Sequence, residues 1–142
     1  MIRAVVDPNV IISAMLSREG SPAVVLRGWL RGEFEMIVSP LLLAELERAL
    51  DYPKTQQRIT SAEAGELVEW LTKGATMADD SPGPPPVRSP DAGDDYLISL
   101  ASAQSAVLVS GDHHLLTLQR NLPVFKPADF LTLLREDLRQ GT

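Results

Sequence analysis

Four acidic residues stand where a folded α/β chain concentrates its chemistry: Asp7, Glu45, Asp95 and Asp112. Asp7 ends the apolar run IRAVV, and Asp112 follows AVLVS through Ser110-Gly111. Both therefore stand at the carboxyl end of a predicted strand, the edge at which open parallel sheets bind ligands. Glu45 has Leu41, Leu42, Arg48 and Ala49 three and four residues away and so borders an apolar helix face. Asp95 opens a helix that carries Leu97, Leu100 and Ala101, which sets it near the buried side. Each acid also has a plain structural role open to it. Asp7 and Asp112 suit helix N-caps, Glu45 can pair with Arg48, and Asp91, Asp94 and Asp95 gain from the dipole of the helix they precede. Taken together, two strand ends and two helices offer an acid to one edge of a sheet. Such a cluster is costly unless a cation neutralises it. Oxygen-only donors suit Mg²⁺ or Mn²⁺, and two such ions can clamp the attacking and leaving oxygens of a phosphodiester displacement.

The elements that must position these acids are legible from cap and breaker residues. Apolar β-branched runs at 2–6, 34–38 and 106–109 alternate with helix-period runs, which predicts βα units around a parallel sheet. Asp7-Pro8, Ser21-Pro22 and Ser39-Pro40 each place a capping residue before a proline suited to the first helical turn. The second helix is expected to stop at Gly32. Thr60 and Glu63 match a capping box before a helix that Gly74 closes. A short strand is expected at 75–78 and an edge strand at 124–125, with a last helix from Pro127. The segment 81–93 carries five prolines, which excludes helix and central strand and predicts a surface loop.

Length and composition narrow the field. The chain has 142 residues, which predicts one domain over 1–142, and 44% hydrophobic residues, enough for a core. It has no cysteine, which removes disulfides and thiolate metal sites. No apolar run approaches the length of a membrane span or a secretory signal, so a soluble, cytoplasmic protein is expected. A net charge of −6 argues against a protein that coats nucleic acid through a basic face. The adjacent pair His113-His114 does not read as a metal pair, because neighbours on a helix point to different faces. Trp29 and Trp70 read as packing residues. Strand one offers only one acid and the late strands no suitable lysine beyond Lys126, which argues against a phospho-receiver domain.

The order of motifs resembles the PIN domain. The carriers are V-V-D-P-N-V with S-A after it, F-E-M-I-V-S-P-x-L-L-x-E-L, D-D-x-x-I-S-L-A, L-V-S-G-D-x-x-L-L and P-A-D-F-L. The closest group is the prokaryotic PIN proteins described as toxins of toxin–antitoxin pairs. The resemblance implies a three-layer α/β/α sandwich around a mainly parallel sheet and a Mg²⁺- or Mn²⁺-dependent endoribonuclease acting on RNA. It implies an antitoxin partner and a homodimer. It puts the family's acids on Asp7, Glu45, Asp95 and Asp112, with Asn9, Ser110 and Asp94 as accessory positions; Asp91 belongs to the same local acidic group. One departure is Pro8, where the family often has Thr or Ser, so a hydroxyl and a backbone N–H that could steady Asp7 are missing. The competing expectation is a non-catalytic PIN-like scaffold that binds RNA or a partner.

Overall fold

A computed structural model describes residues 1–80 and 83–141. Five strands form one sheet: β1 (Arg3–Val6), β2 (Glu35–Val38), β3 (Thr76–Met77), β4 (Val107–Val109) and β5 (Val124–Phe125). Their order is β3-β2-β1-β4-β5 and every pairing is parallel. Parallel neighbours need crossover connections, and eight helices supply the regular part of these and of the C-terminus among the described residues: α1 (Pro8–Leu16), α2 (Ser21–Leu30), α3 (Pro40–Leu50), α4 (Pro53–Gln56), α5 (Ser61–Gly74), α6 (Asp95–Ala103), α7 (His113–Leu116) and α8 (Pro127–Gln140).

The chain builds outward from β1 to β2 and β3, then returns to the other side of β1 for β4 and β5. Right-handed crossovers then place the helices of the two halves on opposite faces. Burial agrees. Ala4, Val5 and Val6 are all buried, as are Met36, Ile37 and Val38, so the central strands are covered on both sides. The result is the three-layer α/β/α architecture that the sequence predicts. The reversal of direction between β1 and β4 opens a crevice at their carboxyl ends.

Local chemistry explains most element boundaries. The Ser39 side chain accepts a hydrogen bond from the Leu42 N–H and starts α3 with Pro40 in its first turn. The Thr60–Glu63 capping box forms in both directions at the start of α5. Gly32, just past the end of α2, has φ +76°, a conformation glycine adopts without a Cβ clash. Two boundaries differ from expectation. Gly20, not Ser21, caps α2, and Ser21 is its first residue. The short helix α4, which Pro53 begins, is not among the elements the sequence predicts. Of the proline-rich segment, residues 83–91 carry no helix or strand, and a 3₁₀ turn (Ala92–Asp94) leads into α6. Ser81 and Pro82, part of the predicted loop, lie outside the described residues. Among the described residues no helix is long and apolar enough to cross a membrane.

Candidate metal centre

The two strand-end acids are neighbours because their strands are. Val6 pairs with Val109, and the Asp7 N–H continues the ladder to the Val109 carbonyl at 2.9 Å. Asp7 is 3% exposed. Its Oδ1 accepts from the Asn9 N–H at 2.9 Å, capping α1, and its Oδ2 accepts from the Ser110 hydroxyl at 2.8 Å. Ser110 is fully buried, and its oxygen also accepts from the Asp112 N–H at 3.0 Å. One hydroxyl thus fixes both acids across the β1–β4 crevice. Asp112 caps α7 through the His114 N–H at 2.8 Å. Burial pushes the Asp7 carboxyl above its ordinary range, against the hydrogen bonds from Asn9 and Ser110, with a further upward push from the Asp112 charge.

Asp94 completes this group. It is the last residue of the 3₁₀ turn before α6, and its carboxyl is pushed up to about 7. Desolvation is the largest cause, followed by a hydrogen bond shared with the Asp112 carboxyl and the charges of Asp112, Asp7 and Asp91. Carboxyls crowded in this way resist full ionisation. Asp94 Oδ2 is also shielded from solvent with no hydrogen-bond partner among the described residues.

Asp95, the expected third acid, has both carboxylate oxygens engaged by the proline-rich loop. Its Oδ1 accepts from the Ser89 N–H at 2.8 Å and its Oδ2 pairs with Arg88 Nη1 at 3.2 Å, so it fastens the proline-rich loop to α6. Asp94 shares the cleft with Asp7 and feels the charges of Asp7 and Asp112. Glu45 stands at the edge of the group. Its carboxylate pairs with Arg48 Nη1 at 2.9 Å, yet it lines the same cleft of about 210 Å³ as Asp7, Asn9, Arg48, Asp94 and Tyr96. Asp91, exposed, caps the 3₁₀ turn through the Gly93 N–H and lies with Asp94 and His114 in a cluster whose candidate ligand atoms are all within 4.8 Å of one another.

Sequence reasoning missed three participants. Tyr96 lies half-buried in the cleft, and burial together with the charges of Asp7, Glu45, Asp94 and Asp80 raises its pKa and keeps the phenol protonated. Asp80 follows the β3 end. Its Oδ2 accepts from the Leu41 N–H at the start of α3, while Oδ1 is buried and has no partner among the described residues. His114 was set aside as half of a histidine pair but approaches the acids alone. Its position two residues after a strand-end Asp was the available signal. Of the two tryptophans, Trp29 is buried as expected, whereas Trp70 is 41% exposed.

The donor set fits a divalent cation: carboxylates crowded at one crevice, and a shielded carboxylate oxygen without a hydrogen-bond partner among the described residues. Without metal, the sign of the pH dependence follows from Asp94. Between about pH 4 and about pH 7 the folded state keeps a proton that the unfolded chain has lost, so stability falls as pH rises through that window and levels off above it. Asp7 acts in the same direction. We expect the melting temperature of metal-free protein, measured against Asp94→Asn to isolate this group, to fall by about 3–6 °C from pH 5 to pH 8. This corresponds to about 1–2 kcal/mol after solvent screening. Millimolar Mg²⁺ or Mn²⁺ is expected to reverse the loss. A flat difference curve across this range contradicts the crowding.

The class of protein that the fold and site define is a parallel α/β protein with carboxylates gathered at its β1–β4 switch point, where ligands of such sheets bind. The chain belongs to the PIN domain family, whose model matches residues 3–114. Among solved structures it is similar to the crystal structure of PAE2754 from Pyrobaculum aerophilum, with 16% identity and a TM-score of 0.63 over 95% of this chain and 90% of that one. It is also similar to VapBC2 from Rickettsia felis bound to a DNA fragment from their promoter, with 18% identity and a TM-score of 0.57 over 88% of this chain and 98% of that one. At these identities the likeness is one of fold. No curated protein sequence matches.

Proposed function

We propose that the protein is a metal-dependent endoribonuclease acting as the toxin of a toxin–antitoxin pair, with Asp7, Asp94 and Asp112 holding a divalent cation and Glu45 at the rim of that site. The observation that carries this reading is the gathering of acids at one crevice: Ser110 ties Asp7 to Asp112, Asp7, Glu45 and Asp94 line one cleft, and Asp94 Oδ2 is shielded without a hydrogen-bond partner among the described residues. Membership of the PIN family supports the nuclease class. When bound, Mg²⁺ or Mn²⁺ supplies Lewis acidity toward phosphoryl oxygens and makes water more acidic. The chain's own residues do the rest. Ser110 holds Asp7 and Asp112 in place, so the acids are positioned before substrate arrives. A cation held by Asp94 would need its carboxylate form, so loading would release the proton that crowding favours in the metal-free site. Tyr96 presents a neutral phenolic donor, and Arg48, balanced by Glu45, offers a cation to a phosphate in the cleft. Asp95 serves as a loop anchor. A protein antitoxin and a second copy of the chain are the partners that the toxin reading brings with it.

The test is cleavage of single-stranded RNA by purified protein. Cleavage that needs Mg²⁺ or Mn²⁺, stops on chelation, and falls to background in folded Asp7→Asn and Asp112→Asn supports the reading. Undiminished cleavage in either variant refutes the site. Metal and RNA binding without cleavage refutes the enzyme and supports the scaffold.

A further inference from the structure

The cleft that holds Asp7 and Asp94 has a wall of a different chemistry. Arg48, in the last turn of α3, and Tyr52, just past its end, both line it. Tyr52 is 56% exposed, with no ring contact and no hydroxyl hydrogen bond among the described residues. A single exposed aromatic is ordinary on a protein surface. This one is held still at the mouth of a cleft. Its N–H donates to the Ala49 carbonyl at 3.3 Å, its carbonyl accepts from the Gln56 N–H at 3.0 Å, and Pro53 restricts its backbone to the extended region it occupies, with φ −63° and ψ 139°. A ring on a fixed backbone loses little freedom when a flat partner settles on it. Arg48 meets Glu45 through one nitrogen, and its side chain is 64% exposed, so its other N–H groups are open to a phosphate. A second cleft, of about 340 Å³, opens past Asn9 and Asp112 and is lined also by Ser13 and Gly111. Its lining has no aromatic ring and no cationic side chain.

We propose that Tyr52 is a stacking platform for one unpaired base of the RNA and that Arg48 holds the phosphate beside it. The inference rests on the reading of this cleft as an RNA site. Its consequence is a substrate recognised by the presence of a base rather than by its identity, because every base offers a π-face to a ring. Paired RNA keeps those faces in its own stack and gains nothing from Tyr52. Arg48, a contact to the backbone, acts on any strand that carries phosphate.

The test is binding to the whole protein, by fluorescence anisotropy, of a short labelled oligoribonucleotide and of an abasic ribose–phosphate strand of the same length and charge, with Ca²⁺ in place of Mg²⁺ to limit turnover. The wild type is expected to bind the RNA about tenfold or more tighter than the abasic strand. Tyr52→Phe is expected to keep this ratio. Tyr52→Leu is expected to bring it close to one without weakening the abasic strand, and Arg48→Gln to weaken both strands alike. Melting temperatures are expected to change little, since both side chains are well exposed. Ser13→Ala, in the second cleft, is expected to leave the ratio unchanged, and a duplex of the same sequence is expected to bind wild type and Tyr52→Leu equally. A ratio near one in the wild type, a ratio that survives Tyr52→Leu, or a ratio lost in Tyr52→Phe or Ser13→Ala overturns the platform. So does a duplex weakened by Tyr52→Leu. An Arg48→Gln loss confined to the intact RNA overturns the phosphate contact. Cleavage assayed in parallel with Mn²⁺ separates this inference from the nuclease reading. Metal-dependent cleavage without a Tyr52-dependent ratio removes the platform and leaves the nuclease. A Tyr52-dependent ratio without cleavage removes the nuclease and leaves the platform. Neither binding nor cleavage removes both.

Discussion

Asp94→Asn is expected to reduce metal-dependent RNA cleavage by about 10³-fold while making the metal-free protein more stable. The two effects have one cause. Asp94 places a third carboxylate against Asp7 and Asp112, where it keeps a proton that an isolated aspartate would give up. Asparagine has the same shape and no charge, so the repulsion disappears and the metal-free fold gains about 1–2 kcal/mol at neutral pH. The same change removes an anionic ligand, and a loss of about 4 kcal/mol in transition-state stabilisation corresponds to about 10³-fold in rate. Opposite movements of stability and activity distinguish a site acid from a structural one. Asp95→Asn provides the contrast. Asp95 holds the Ser89 N–H and Arg88, so its replacement is expected to loosen the loop while cleavage changes by less than about tenfold. A variant pair with these results exchanged returns the third ligand to Asp95.

The largest effect on stability is expected from Phe130→Ala. Helix α8 begins beyond residue 114, where the family match ends, yet it closes the core. Phe130 is fully buried and meets Phe34 edge to face, with ring centroids 5.0 Å apart and planes at 80°. Leu134, one turn on, is 2% exposed. Truncating a fully buried phenylalanine loses its transfer free energy and leaves a cavity, at a cost of about 3–5 kcal/mol. Urea denaturation should show that loss, with a melting temperature lower by about 10 °C or more. A cost below 1 kcal/mol would mean that α8 is not an integral part of the packed fold.

Much of this architecture could be read from punctuation. Asp7-Pro8, Ser39-Pro40 and the Thr60–Glu63 box mark helix starts by chemistry that acts within a few residues, and the structure keeps them. The β-branched runs identified the three central strands because strands buried on both faces are continuously apolar. Asp7 and Asp112 were legible for the same reason, each following such a run. The distinction between Asp94 and Asp95 was not. Adjacent residues at a helix start point about 100° apart, and which one faces the crevice depends on the 3₁₀ turn that precedes α6 and on Ser89 and Arg88 claiming the other. His114 was largely hidden by the same limitation: its neighbours Asp91 and Asp94 come from a different segment, and only its place two residues after Asp112 sets it apart from His113. Tyr96 joins the cleft through tertiary packing that no local pattern encodes.

The measurement that bears most directly on the site is anomalous diffraction from a crystal soaked in Mn²⁺. The account predicts a peak bounded by the carboxylates of Asp7, Asp94 and Asp112, with Asp95 still turned to Ser89 and Arg88. A peak at Asp95, or an empty β1–β4 crevice at saturating Mn²⁺, would contradict it.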